Sequence, residues 1–551
     1  MPKTKDATDF RVLIVYPNLP LMLVPALAIG IFTKILNKKG YQVDLFETTG
    51  YLPQDSNENS SPENRVKYSQ ARDFNYERDL GIIPMYGDMK EDFREKVIEF
   101  KPDFMIFTVV EDAFLQALSL LEAVGDLNVP HLIGGVFPTA APDRCMEFPA
   151  IKMIGLGEGE NIILATAEAI RLGKSLKNIP GTWYRDDQDT IHKSPRGPLV
   201  DINDYSPDFS LIDDRRFYRP MGGRVFRTMP IETYRGCPFT CTFCNSPMQT
   251  SQSKSSGQGN FLRRKGITEL RDELREVVEK YKPEFLYFID DSFLSRPRSE
   301  IFEFCDMYSE FALPFWFNTR PENCTEEVMK RINEAGAYRI SFGLECGNEE
   351  YRRKVLLRQV SNKKIIERFD IIANSGIAFS VNLIIGFPGE TRELIMDTVE
   401  LVRSLSGFDT LTVSIFTPYH GTRLRNVAVR NGWLDAKTIT VHTTSNSLLD
   451  MPPPYLSSVD IDGLMRVVPL YCYFPKSEWK TLRRAETDDD EGNKILAEYM
   501  TIYQDEFLGM TQDDKKNILI EGGTGCRSNP KDSFFVSAPR LTESQLISLT
   551  P

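Results

Sequence analysis

Three cysteines lie within eight residues: Cys237, Cys241 and Cys244, in the run Tyr234-Arg-Gly-Cys-Pro-Phe-Thr-Cys-Thr-Phe-Cys-Asn245. The spacing is C-x3-C-x2-C. A four-iron cluster normally takes four thiolates. Three would leave one iron with an open position where a substrate or cofactor can bind. No fourth cysteine stands close by, and the next along the chain is Cys305. The competing chemistry is zinc. Structural zinc wants four ligands, usually in two closely spaced pairs, and no second pair is present.

The elements that must position these thiols read as two alternating series. In the first ~200 residues, apolar strand runs at 11–16, 41–47, 104–110, 131–133 and 152–155 alternate with helical patterns such as 25–39 and 161–172. Alternation of this kind predicts a doubly wound, flavodoxin-like (Rossmann) α/β domain, with ligands at the carboxyl ends of its strands. Residues 51–95 read as a polar, irregular insertion. Residues 180–184 and 204–208 read as a strand pair and linker. A second series begins at Ile231, with strands expected at 231–234, 285–289, 315–318, 338–342, 379–385 and 411–416. Six strand–helix units predict a partial (βα)6 barrel of TIM type, whose chemistry gathers at the carboxyl-terminal mouth. The cysteines follow the first of these strands. The expected layout is residues 1–200, a linker at 201–228, a barrel at 229–435 and a mixed, partly helical domain at 436–551.

The chain has 551 residues, too many for one ordinary core. Its hydrophobic share of 41% and charged share of 26% are those of a soluble globular protein, and its net charge of -12 argues against a general nucleic-acid binder. No apolar run is long enough for a membrane span, and no leader is legible. Nine cysteines, three of them in one motif, do not form a disulfide framework and fit a reducing cytoplasm.

Other candidates sit at expected strand ends. Asp290, in Asp290-Asp291, can accept a hydrogen bond from a ribose hydroxyl or cap a helix, and the cap is the preferred role for Asp291. Arg358 can pair a carboxylate bidentately, or be a surface charge. In Ile385-Gly-Phe-Pro-Gly-Glu-Thr391, Gly386 permits close backbone approach. His420, in Thr417-Pro-Tyr-His-Gly-Thr422, is either an acid–base group or part of a turn. Cys346 is expected to face the mouth, and Cys526 lies in a glycine-rich tail that can fold over it. For both, an inert thiol is the alternative.

This ordered set, with Phe342-Gly-Leu-Glu345-Cys-Gly among it, resembles the radical SAM superfamily, and within it the enzymes with an N-terminal cobalamin-binding-type domain. The match runs over residues 11–433. The resemblance implies that Cys237, Cys241 and Cys244 ligate a [4Fe-4S] cluster whose open iron is chelated by S-adenosylmethionine (SAM). Cleavage of SAM then gives a 5'-deoxyadenosyl radical. Phe243 would lie against adenine, Glu345 would bind the ammonium or ribose, and Arg358 the methionine carboxylate, with Asp290 and Gly386 completing the SAM site. Cobalamin would be lined by Asn18 and its loop, by Thr108 and Glu111, and by Gly134, Gly135 and Val136. Two departures stand out: Cys346 replaces a serine and His420 a proline. The loop after the first strand also lacks Asp-x-His-x-x-Gly, so it offers no axial histidine, and loss of cobalamin is the alternative for that domain.

The implied reaction is methyl transfer to an unactivated carbon or to phosphorus of a biosynthetic intermediate, through the radical and methylcobalamin. Ring rearrangement or cyclisation, non-radical alkyl transfer (methyl or 3-amino-3-carboxypropyl) from SAM, and a non-catalytic metal-binding scaffold are the alternatives. The partners implied are a small-molecule or peptide substrate and an electron donor such as flavodoxin or ferredoxin, with no nucleic acid and no membrane span.

Overall fold

The computed structural model describes residues 4–52, 77, 81–221, 224–441, 446–508 and 542–550. Its first sheet has seven strands: β1 (Arg11–Tyr16), β2 (Gln42–Glu47), β3 (Phe104–Thr108), β4 (His131–Gly134), β5 (Met153–Gly155), β6 (Thr182–Arg185) and β7 (Ile191–Lys193). They are ordered β2-β1-β3-β4-β5-β6-β7. Strands β1 to β5 run parallel, and β6 and β7 are antiparallel additions. Alternate residues of one strand serve opposite faces. Val12 and Ile14 pack with the helices Leu27–Lys38 and Gly159–Arg171. Leu13 and Val15 pack with Met89–Phe100 and Phe114–Ala123. The order β2-β1-β3-β4-β5 is the flavodoxin-like one expected.

Two local expectations need correction. The partner of β6 is β7, and residues 204–208 form no strand. The chain reverses because Asp186 Oδ1 accepts the N–H groups of Gln188 (3.1 Å) and Thr190 (3.0 Å), an Asx turn that brings Ile191 back alongside Arg185. The stretch 51–95 is not wholly irregular, since the helix Met89–Phe100 starts within it. Asp88 caps that helix by accepting the Lys90 N–H (2.8 Å), and Phe93 and Val97, one turn apart, are buried. Met89, Phe93, Val97 and Phe100 carry its period onto the core. Residues 53–76 and 78–80 of the insertion lie outside the described residues.

The second sheet is the curled half-barrel. Its strands are β8 (Tyr218–Met221), β9 (Arg224–Ile231), β12 (Phe285–Phe288), β13 (Phe315–Thr319), β14 (Ala337–Glu345), β15 (Ala378–Ile385) and β16 (Thr410–Ile415), with a two-residue ribbon β10 (Tyr234–Arg235) and β11 (Arg263–Arg264) beside it. Six strands, β9 and β12 to β16, run parallel, and β8 lies antiparallel at the edge. The first parallel strand begins at Arg224, inside the expected linker, and stops at Ile231 where the sequence suggested it would start. It stops because the Thr233 and Tyr234 N–H groups turn onto Asp290 Oδ1 (2.7 and 3.1 Å) instead of continuing the ladder.

The C-terminal segment is helical among the described residues and shares the barrel's core. The helix Ser458–Tyr473 starts with a capping box of Ser457 and Asp460. Arg403 closes its far end by donating to the carbonyls of Tyr471, Cys472 and Phe474 (3.0, 3.2 and 2.8 Å). Among the described residues no helix is long and apolar enough to cross a membrane.

Candidate active site

Strand β9 delivers the cysteine loop to the mouth of the half-barrel. The loop is pinned at its middle by Thr242, a fully buried residue. Its hydroxyl donates to Val355 O (2.8 Å) and its carbonyl accepts the Leu424 N–H (3.0 Å). Eight cysteines are described, and five of them, Cys145, Cys305, Cys324, Cys346 and Cys472, are buried. Cys237 and Cys241 are half-buried and Cys244 is exposed. Yet protein crowds around all three. Burial pushes the Cys237 thiol up to about 12 and the Cys244 thiol up to about 11. It raises Cys241 too, against the nearby charges of Arg358 and Arg320. A bound metal reverses the protonation of these thiols, because a coordinating thiol is deprotonated outright. Among the described residues, no three His, Cys, Asp or Glu side chains converge on a point as ligands of a single ion would. This does not conflict with a cluster, whose three thiolates bind three different irons.

The surrounding strand ends bring most of the expected residues together. Glu345, with φ of 69°, ends β14, and its Oε1 lies 3.3 Å from Nη1 of Arg358. Arg358 Nη2 donates to Gly343 O (2.6 Å). Burial pushes the Glu345 carboxyl up and Arg358 opposes the shift. Phe243 packs against Phe387, with ring centroids 5.6 Å apart, in the loop after β15. Gly386 begins that loop, and its N–H donates to Glu390 Oε2 (2.6 Å).

Neither aspartate of the pair caps a helix. Asp290 is buried and occupied by Thr233, Tyr234 and Arg296, so it anchors the loop and is closed to a ribose. Asp291 caps no helix. It is accessible, accepts from Ser246 Oγ (2.5 Å) and adds negative charge beside Cys237 and Cys244.

Arg320 was missed by sequence reasoning. It directly follows β13, and its Nη1 stands 3.7 Å from Cys241 Sγ. It also covers the Phe239 ring and pairs with Glu322. The strand-end rule that singled out Asp290 applies to it equally. Cys346 is wholly buried, its thiol directed at Asn348 O (3.9 Å), so it does not face the mouth. Cys526 lies outside the described residues.

The carboxyl edge of the first sheet faces this mouth. Three exposed apolar residues follow three neighbouring strands: Met22 after β1, Val110 after β3 and Val136 after β4 (47, 49 and 37% exposed). Thr108 ends β3 between them. A Cβ added at Gly134 would meet nothing within 4 Å, whereas one at Gly135 would lie 2.1 Å from Val109 O. Gly135 therefore serves strand packing, and Gly134 borders open space. Asn18 shapes its loop, donating to Thr49 Oγ1 (2.9 Å) and Met22 O (3.1 Å). A flat apolar ring system fits this edge. His131 supplies no ligand to it, being buried in β4 with its ring bonded to the Lys152 N–H (3.1 Å).

Glu111 does not line that edge. Its carboxylate accepts His420 Nδ1 (2.7 Å) and the N–H groups of His420 (2.8 Å) and Thr440 (2.9 Å). Burial works against its charge, yet these bonds hold it below the usual carboxylate range. Beside it Asp112 accepts from Tyr419 Oη (2.9 Å). His420 and Tyr419 follow β16, the last barrel strand. At the other end Arg235, close after β9, donates to Glu158 (2.9 Å) and Glu160 (2.8 Å), which follow β5. The first domain is thus joined to the half-barrel through the loops after its first and last parallel strands.

Comparison with known proteins agrees with this geometry. Residues 231–402 match the model of the radical SAM superfamily. An uncharacterized methyltransferase of Pyrococcus horikoshii is 25% identical over 380 residues, covering 68% of this chain and 79% of that protein. The anaerobic magnesium-protoporphyrin IX monomethyl ester cyclase of Rubrivivax gelatinosus is 25% identical over 358 residues, 61% of this chain and 60% of that one. Among solved structures, the radical S-adenosylmethionine methyltransferase TsrM of Kitasatospora setae, with cobalamin and a [4Fe-4S] cluster bound, superposes with a TM-score of 0.55 at 17% identity, covering 85% of this chain and 82% of that one. Residues 231–402 thus carry a radical SAM domain, and the chain as a whole shares the fold of that cobalamin-bound methyltransferase.

Proposed function

We propose that this protein is a cobalamin-dependent radical SAM methyltransferase acting on an unactivated carbon or a phosphorus of a biosynthetic intermediate. Bound here, the [4Fe-4S] cluster would turn SAM into a 5'-deoxyadenosyl radical, and cobalamin would supply the methyl group. The observation that carries the reading is the facing of two sites. Three accessible thiols on one strand-end mouth lie opposite an open apolar strand-end edge on the other domain.

In this reading Cys237, Cys241 and Cys244 hold the cluster, and Arg320 donates toward Cys241. The Glu345–Arg358 pair offers an acceptor and a donor for the amino-acid end of SAM. Asp291 offers a second acceptor beside the cysteines. Phe243 and Phe387 form an apolar wall for adenine, and the Gly386 turn admits it closely. Met22, Val110, Val136 and the space at Gly134 receive the corrin ring. A one-electron donor such as flavodoxin or ferredoxin would reduce the cluster, and an oxygen-sensitive centre of this kind calls for a reducing, cytoplasmic setting.

The similarity to the magnesium-protoporphyrin cyclase favours a second reading, radical ring formation without methyl transfer. The two separate by co-product. Protein reconstituted without air and loaded with hydroxocobalamin is incubated with titanium(III) citrate, candidate substrates and methyl-labelled SAM. Methyl transfer gives S-adenosylhomocysteine together with 5'-deoxyadenosine and a labelled product. Radical cyclisation gives 5'-deoxyadenosine without S-adenosylhomocysteine and an unlabelled product.

A further inference from the structure

His420 occupies the position where the related motif has proline, and the two domains are tied together through it. On one side its Nδ1 and backbone N–H both donate to Glu111 (2.7 and 2.8 Å). On the other its carbonyl accepts from Asn245 Nδ2 (2.7 Å), and Asn245 directly follows Cys244. Glu111 also accepts the Thr440 N–H (2.9 Å). One hydrogen-bonded path therefore runs from the cysteine loop, through the loop after β16, to the loop after β3. Glu111 is buried, and the Phe137 ring meets the His420 ring edge to face at 5.2 Å. A carboxylate out of water persists only when fully bonded, so this one is fixed in place. It accepts only, so it holds the proton on Nδ1. Nε2 has no protein partner among the described residues.

We propose that Glu111 and His420 are a positioning pair, which sets the distance between the corrin-binding edge of the first domain and the cysteine loop of the barrel. Neither residue touches the reacting atoms. The pair lets a methyl donor held at the barrel mouth reach an acceptor held on the facing edge. This rests on the function proposed above.

The test needs no substrate. The full-length protein, reconstituted without air, is given SAM in two assays. With dithionite, release of 5'-deoxyadenosine reads the barrel site alone. With hydroxocobalamin and titanium(III) citrate, release of S-adenosylhomocysteine reads the apposition of the two sites. A misplacement of ~1 Å can cost ~100-fold in rate. Glu111→Gln presents an amide N–H₂ to groups that only donate. His420→Gln moves the side-chain donor from the Nδ1 position to the Nε2 position. Both are expected to lower S-adenosylhomocysteine release by roughly 10- to 100-fold while 5'-deoxyadenosine stays within about two-fold. His420→Asn keeps a donor near Nδ1 and is expected to restore most of the loss.

Amide hydrogen exchange on the cofactor-free variants supplies a readout independent of turnover. Faster exchange is expected in both loops at once, 108–115 and 417–422. An unchanged ratio of the two products in Glu111→Gln and His420→Gln overturns the proposal. So does a parallel fall of both products without rescue by asparagine, which would make the pair merely structural. If the wild-type protein retains no cobalamin, the proposed function fails by itself, and the exchange comparison alone decides whether the pair joins the domains.

Discussion

Adjacent glycines at the end of β4 should respond in opposite ways to the same added methyl group. Gly135 has φ of 120°, and a Cβ built on it lies 2.1 Å from Val109 O and 3.0 Å from Val109 N. Both neighbours are backbone, and Val109 is itself held by its N–H bond to Gly134 O (2.8 Å). No side chain can swing away. An L-residue in that region of φ and ψ costs ~1–3 kcal/mol before any clash, and the clash forces β3 and β4 apart at the ligand edge. Gly135→Ala should therefore cost at least ~3 kcal/mol, which for a domain of this size lowers its melting temperature by roughly 6–12 °C. At Gly134 an added Cβ meets nothing within 4 Å. Gly134→Ala should lie between no change and a gain of ~1 kcal/mol, since it stiffens the unfolded chain. Gly134→Phe should also fold, but its ring fills the proposed corrin space and should abolish retention of cobalamin through gel filtration. Calorimetry and visible absorbance of the three variants check this. Equal stability of Gly135→Ala and wild type would refute the reasoning, and so would undiminished cobalamin in Gly134→Phe.

Removal of the Arg320 charge should shift the cluster potential. Arg320→Gln takes a donor from Cys241, and since hydrogen bonds to cluster sulfurs raise the potential, the midpoint should fall by tens of millivolts in a redox titration followed by electron paramagnetic resonance. Glu390 makes a pH prediction. Its buried carboxyl meets two N–H groups but no cation among the described residues, and burial pushes it up to about 8. The folded state then holds a proton that the unfolded state releases near the ordinary value. This stabilisation is complete at low pH and is lost as pH rises through about 8. Denaturant midpoints should fall between pH 6 and 9 in the wild type, by up to ~2–3 kcal/mol, and stay level in Glu390→Gln. Cys472→Ser, deep in the C-terminal helix core, should cost ~1–3 kcal/mol without changing the iron content measured by colorimetric assay.

Much of this architecture was legible because the central strands of both sheets are parallel. Strands covered on two faces read as unbroken apolar runs, and β1, β3, β12 and β15 were placed within one or two residues. The cysteine spacing identified the barrel mouth for the same local reason. What was hidden depends on contacts distant in sequence. The end of β9 is set by Asp290, 57 positions away from Thr233, and no pattern within the strand reports it. Asp290 and Asp291 are indistinguishable by composition, and only the packing of Arg296 decides which is buried. Glu111 looked like a cofactor-edge residue because it follows a strand. Its partner His420 lies 309 residues on. Arg320 could have been found, since it too follows a strand end.

The proposed chemistry requires a cluster with one iron left open to SAM. Protein reconstituted anaerobically with iron and sulfide, then mixed with SAM and dithionite, is assayed for 5'-deoxyadenosine by liquid chromatography and mass spectrometry. The prediction is clear release from the wild type and none from Cys241→Ala. A wild-type protein that takes up no iron–sulfide centre, or a Cys241→Ala variant that cleaves SAM as well as wild type, would contradict it.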